Sequence, residues 1–223
     1  MVANQSWSGL HEDLLAAKTS VYDPSGFACS QPVPEPESAE YAAHAFTLDG
    51  LSVRFRVAKT TPTKVGQFVT VWQRSEEGPI RPFDVEDGID LVVISSRDSG
   101  HFGQFVFPRE ELGRRGVMSR DGSGGKRGFR VYPPWVTTTS RQAGSSQAWQ
   151  VRHFLDLGEG SPSTRYVPGP SITRRCVNAP AIRRSLFDCA APAPIGSGAA
   201  RLGRGSGGLW RIGETGPPGI AHA

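Results

Sequence analysis

The chain has 223 residues, 37% of them hydrophobic, with 27 glycines and 18 prolines. That length suits one domain plus a tail, and the abundance of turn-formers argues against the whole chain packing into one core. The formal charge of +4 excludes a histone-like polycation and is informative only where it is concentrated.

Cys29, Cys176 and Cys189 are scattered, with no CxxC or Cys/His cluster, so neither structural zinc nor a disulfide framework is expected. The histidines also fall singly. The N-terminus lacks a basic and apolar leader, and no run approaches a membrane span. A soluble cytoplasmic protein with no membrane partner is therefore expected.

In chain order, "SWSGLHEDLLAAKTSVY" predicts a helix with Ser8 as its cap and Leu10, Leu14 and Leu15 as an apolar stripe. "DPSGFACSQPVPEPES" reads as a connection. Asp49-Gly50 separates "AEYAAHAFTL" from the alternating run "LSVRFRVAK", which is a hairpin signal. On that run Val53, Phe55 and Val57 point one way, and Arg54, Arg56 and Ala58 the other. "TTPTKVG" breaks the strand, and "QFVTVWQR" is the next one, carrying Phe68 and Trp72. "SEEGPIRPFDVEDG" is an acidic loop, and "IDLVVIS" reads as a central strand. "GQFVFP", a short helix or turn at "REELGRRG", a possible edge at "GVMS" and a strand in "GGKRGFRVYPPW" follow. "SRQAGSSQAWQVRHFLDL" predicts a last helix. The remainder, 159–223, has no sustained period and is expected to be a disordered tail rich in Gly, Pro and Arg. Its composition also matches what a shifted reading frame in GC-rich DNA would encode.

Four constellations carry chemistry. Arg54 and Arg56 share a strand face, and Lys59 and Lys64 flank a Thr-Thr-Pro-Thr turn. Guanidinium and ammonium groups in that setting suit phosphate, and ion pairs with Glu76, Glu77, Asp84, Glu86 and Asp87 are the alternative. In "GGKRGFRVYPPW", Lys126, Arg127 and Arg130 interleave with Tyr132 and Trp135, which suits either stacking on bases or a hairpin with core aromatics. Gln142 and Gln147 are amides that either read bases or decorate a polar helix face. Glu35, Glu37, Glu40, Asp84, Glu86, Asp87 and Asp90 form an acidic set from which a nuclease would draw Mg²⁺ ligands. The Asp/Glu-x-Lys pair of such enzymes is absent from the basic strands, because Val57 stands where the acid would precede Lys59.

The stretches "FRVAKTTPTKVGQFVTVWQR", "PFDVEDGIDLVVIS", "GQFVFPREELGRRGVMS", "GGKRGFRVYPPW" and "RQAGSSQAWQ" together resemble the MepB-like family of bacteria over about residues 8–157. That family is named after a gene beside a multidrug efflux pump. The resemblance implies an α+β fold: a mixed, mostly antiparallel central sheet flanked by N- and C-terminal helices, similar in outline to restriction-endonuclease-like folds. On that relation Lys59 and Asp90 match catalytic positions, and Glu37, Glu40, Asp87 and Asp90 are metal candidates. The expected function is nucleic-acid binding, to DNA more than RNA, without an obligatory cofactor. The alternatives are a Mg²⁺-dependent phosphodiesterase, and a module for small molecules or proteins linked to drug response.

Overall fold

The computed structural model describes residues 7–74 and 78–158. Cys176, Cys189, Glu76, Glu77 and the predicted tail lie outside them. The architecture is α+β, built on one large mixed sheet.

The first helix, α1 (Glu12–Ala17), is shorter than the periodicity predicts. His11, not Ser8, is its cap, with Nδ1 accepting from Asp13 N at 3.2 Å. The chain continues as a π-helical turn, Lys18–Tyr22, which buries Val21 and Tyr22. The Pro/Ser-rich connection contains strand β1 (Val33–Pro34) and a 3₁₀ segment, Pro36–Tyr41. Strands β2 (His44–Leu48) and β3 (Leu51–Val57) form the expected hairpin. Asp49 and Gly50 both take positive φ, at 50° and 86°, so the two-residue loop matches the twist of its strands.

One residue beyond β3 the chain leaves the large sheet. Strands β4 (Lys59–Thr61) and β5 (Lys64–Thr70) pair with each other and not with β3. Thr60 and Thr61 are therefore strand, with the break confined to Pro62 and Thr63, and "QFVTVWQR" is split between β5 and β6 (Trp72–Arg74). Alternation passes unbroken through Ala58, so the pattern cannot mark the change of sheet. β6 pairs with β7 (Ile80–Pro82), inside the stretch expected to be loop.

Strand β8 (Leu91–Asp98) is the predicted central strand and is buried from Leu91 to Ser96. It runs parallel to β3 and antiparallel to β9 (His101–Pro108). A short α2 (Arg109–Arg114) follows, then β10 (Gly128–Val131). Helix α3 (Arg141–Gln150) starts at Ser140, whose Oγ accepts from Ala143 N. The last predicted helical residues are instead strand β11 (Phe154–Asp156), paired with β9.

The large sheet has the order β1-β2-β3-β8-β9-β11, and the small one β10-β5-β4. Alternation sends Val53, Phe55, Leu91, Val93 and Val106 to one face, where Leu14, Ala17 and Val21 cover them. Val92, Ile94, Phe105 and Phe107 point to the other face, against Val69, Phe129 and Val131 of the small sheet. The large sheet is thus buried on both faces, and a polar residue on either one must find a partner inside. None of the described helices is long and apolar enough to cross a membrane.

Gly103 shows how tightly the edge is packed. A Cβ there would lie 2.6 Å from the backbone oxygen of Leu155 and inside the ring of Phe154. Gly103→Ala is expected to cost about 1–3 kcal/mol by overpacking, read as a lower denaturation midpoint in urea with an unchanged slope.

Candidate functional site

Arg54 and Arg56 lie on the β3 face that the small sheet side covers, so neither is a solvated basic residue. The Arg56 side chain is fully buried and ends 2.5 Å from Glu35 Oε2. Its Nη1 also donates to the backbone oxygen of Phe55, and its guanidinium stacks 5.5 Å from the Phe83 ring. Nε and Nη2 of Arg56 have no hydrogen-bond partner among the described residues. Burial pulls the Arg56 pKa down, and the charge and hydrogen bond of Glu35 oppose that. Arg54 Nε lies 3.2 Å from the other Glu35 oxygen. One carboxylate therefore serves two guanidinium groups.

Glu40, at the other end of the 3₁₀ segment, pairs with Lys59 Nζ at 3.4 Å, and that ammonium sits 4.8 Å above the Tyr41 ring. Both members of the Lys59–Glu40 pair are largely exposed, so the pair holds Lys59 only weakly. Among the described residues the ion-pair partners of these three cations are Glu35 and Glu40, not Asp84, Glu86 or Asp87.

The small sheet presents a different arrangement. Phe68 stands directly opposite Lys59 on one side and Arg130 on the other. Residues opposite one another share a face, so Lys59, Phe68 and Arg130 form a row across three strands. Gln67, Val69, Phe129 and Val131 fill the inner face, so the row faces outward. Two aromatic rings pack over glycines on it, where a side chain would collide with them. A Cβ on Gly128 would meet the Phe68 ring at 2.6 Å, and one on Gly66 would meet Tyr132 at 2.6 Å. Phe68 is also edge-on to Tyr41, with centroids 6.3 Å apart. Arg130 donates to the Lys64 and Gly66 backbone oxygens and to Thr61 Oγ1, which locks the β4–β5 turn. Lys64 is exposed at one end of β5, and Lys126 and Arg127 are exposed just before β10.

Other predicted residues are engaged elsewhere. Gln147 donates to the backbone oxygens of Pro133 and Val136, so it fastens a turn. Trp135 stacks on His101 at 5.0 Å and meets Phe154 edge-on. Gln142 is exposed on the first turn of α3. Gln150, which sequence reasoning did not single out, accepts from Tyr132 N and donates to Arg130 O, and so covers the open edge of β10.

The carboxylates are dispersed. Asp87 accepts from Arg81, Gln73 and Asp84 N, and its hydrogen bond raises the Arg81 pKa. Asp84 accepts from Ser119 Oγ at 2.7 Å, Gly122 N at 3.0 Å and Glu86 N at 3.1 Å. The Ser119 bond, then those backbone bonds, hold its pKa below the ordinary value. Asp90 accepts from Ser52 N and reaches Arg109 only at 4.0 Å. Glu37 is exposed. Among the described residues no three His, Cys, Asp or Glu side chains group as a metal site. Glu37, Glu40, Asp87 and Asp90 therefore do not form a shared ligand set.

The MepB-like family model matches residues 35–156, more than half of the chain. This chain belongs to the MepB-like family. A crystal structure of MepB is similar at 32% identity, with a TM-score of 0.57, over 66% of this chain and 97% of that one. No curated protein matches. The family segment begins at Glu35, the carboxylate that neutralises Arg56, and includes the whole row from Lys59 to Arg130. Helix α1, which covers the opposite face of the large sheet, precedes it.

Removing one partner of a buried pair strands the other charge. Glu35→Ala is expected to destabilise this MepB-like protein by about 3–5 kcal/mol, and Glu35→Ala combined with Arg56→Met to recover much of that in urea denaturation. Asp84 contributes stability that is present above its unfolded pKa and lost as pH falls through the depressed folded value. Melting temperature is expected to fall as pH drops below about 4, and Asp84→Asn to flatten that part of the acid limb.

Proposed function

We propose that this MepB-like protein binds nucleic acid, single-stranded DNA above all, on the outer face of its small sheet. The observation that carries this reading is the Lys59–Phe68–Arg130 row with the Phe68 and Tyr132 rings packed over glycines. An antiparallel sheet that offers aromatic faces between cations suits unpaired bases, because every base has a face to stack. Phe68 and Tyr132 are the stacking groups. Lys59, Lys64, Lys126 and Arg127 take phosphates, while Arg130 keeps the platform rigid through its backbone contacts. Of the carboxylates that a metal-dependent phosphodiesterase would use, Asp87 is held by Arg81, Asp90 by Ser52 N and Glu40, weakly, by Lys59, and Glu37 is exposed, so they do not group. Binding without cleavage is the reading this geometry supports.

Fluorescence anisotropy with a labelled oligo-dT tests it. Affinity is expected to fall steeply with salt, and Lys126→Ala with Arg127→Ala to reduce the slope of log K against log salt by about 1.4, at ~0.7 per phosphate on a single strand. Tyr132→Ala is expected to weaken binding without changing that slope, because it removes stacking and no charge. Binding that is absent, or insensitive to salt, overturns the reading.

A further inference from the structure

A second surface lies apart from the basic residues that the sequence singles out. Val85, Glu86, Arg109, Glu110, Arg114 and Arg120 line an open surface cleft of about 530 Å³. Its cations are not equivalent. Arg109 pairs with Glu110 at 3.0 Å, and Arg114 pairs with Glu111. Arg120 is exposed and has no carboxylate partner among the described residues. The Glu86 side chain is likewise exposed and unpaired among them.

The backbone next to both unpaired groups is tied to one carboxylate. Arg120 opens a tight turn in which Arg120 N and Ser123 N donate to each other's backbone oxygens. Asp121 and Gly122 form its corner with φ of 51° and 69°. Asp84 Oδ2 binds that turn through Ser119 Oγ and Gly122 N, and Asp84 Oδ1 binds Glu86 N. Both walls therefore hang from Asp84 through their backbone, which sets where the Arg120 and Glu86 side chains leave the chain.

We propose that this cleft binds a small phosphorylated polyol, of the sugar-phosphate class. Arg120 takes the phosphate as a fork matched to two oxygens. Glu86 accepts hydrogen bonds from the hydroxyl groups. The site is independent of the small-sheet row, so it stands or falls separately from nucleic-acid binding.

Calorimetric titration of the full chain with ribose 5-phosphate, ribose and inorganic phosphate is the test. Ribose 5-phosphate is expected to bind saturably, ribose not at all, and inorganic phosphate more weakly. Arg120→Ala is expected to weaken ribose 5-phosphate about tenfold, the loss of one charge-assisted pair. Glu86→Gln is expected to weaken ribose 5-phosphate and leave inorganic phosphate unchanged. Both positions are exposed, and circular dichroism checks that each variant folds. No saturable binding of ribose 5-phosphate, or equal binding by Arg120→Ala, overturns the proposal. So does a matched concentration of potassium chloride that abolishes the heat. Oligo-dT binding on the same variants is expected to stay intact; its loss in Arg120→Ala would assign the cleft to the nucleic-acid surface and overturn the separate site.

Discussion

The carboxylate of Glu35 between two guanidinium groups is the interaction on which the organisation of this face depends. A charged arginine taken fully out of water costs several kcal/mol unless it is paired. Arg56 is in that position because the large sheet is covered on both faces. Its only carboxylate partner among the described residues arrives on the segment that continues into the 3₁₀ turn and Tyr41. Fixing Glu35 thus anchors Tyr41, Tyr41 supports Phe68 and Lys59, and these begin the row on the small sheet. A charge pair in the interior and an aromatic row on the surface are consecutive parts of one packing arrangement.

The cations therefore divide into two kinds. Arg54 and Arg56 are consumed by the fold, and Arg130 by the backbone of a turn. Lys64, Lys126, Arg127 and Arg120 remain exposed. The charge counted along the chain is not the charge presented to a partner. The family segment contains both kinds, so membership alone does not say which cations meet a ligand.

Much of the α+β core was legible. The Asp49-Gly50 hairpin, the central strand at Leu91 and the strands at Phe105 and Phe129 follow from alternation and turn chemistry. Alternation reports that a side chain leaves a strand face, not whether that face meets water or a second layer. Arg56 looked solvated for that reason. The step between sheets at Ala58 is one residue long and keeps the period of two, so Lys59 seemed to share a sheet with Arg56. Ion-pair partners 21 residues apart, such as Arg56 and Glu35, leave no local pattern at all. The candidate row was half legible: Lys59, Arg130 and Tyr132 stand out by type, whereas the sequence places Phe68 only on a strand and its position in the row follows from register.

Gly66 and Gly128 matter beyond their own positions. Each is the floor under a particular ring, Tyr132 and Phe68 respectively. The fit is reciprocal across β5 and β10, since each strand gives one glycine and receives one ring. In relatives these four positions are expected to change as two linked pairs, with a larger residue at the glycine accompanied by a smaller one at the ring. A lineage that loses one glycine would thus discard a half-buried ring in the same step, while the hydrogen-bonded ladder beneath it stays whole.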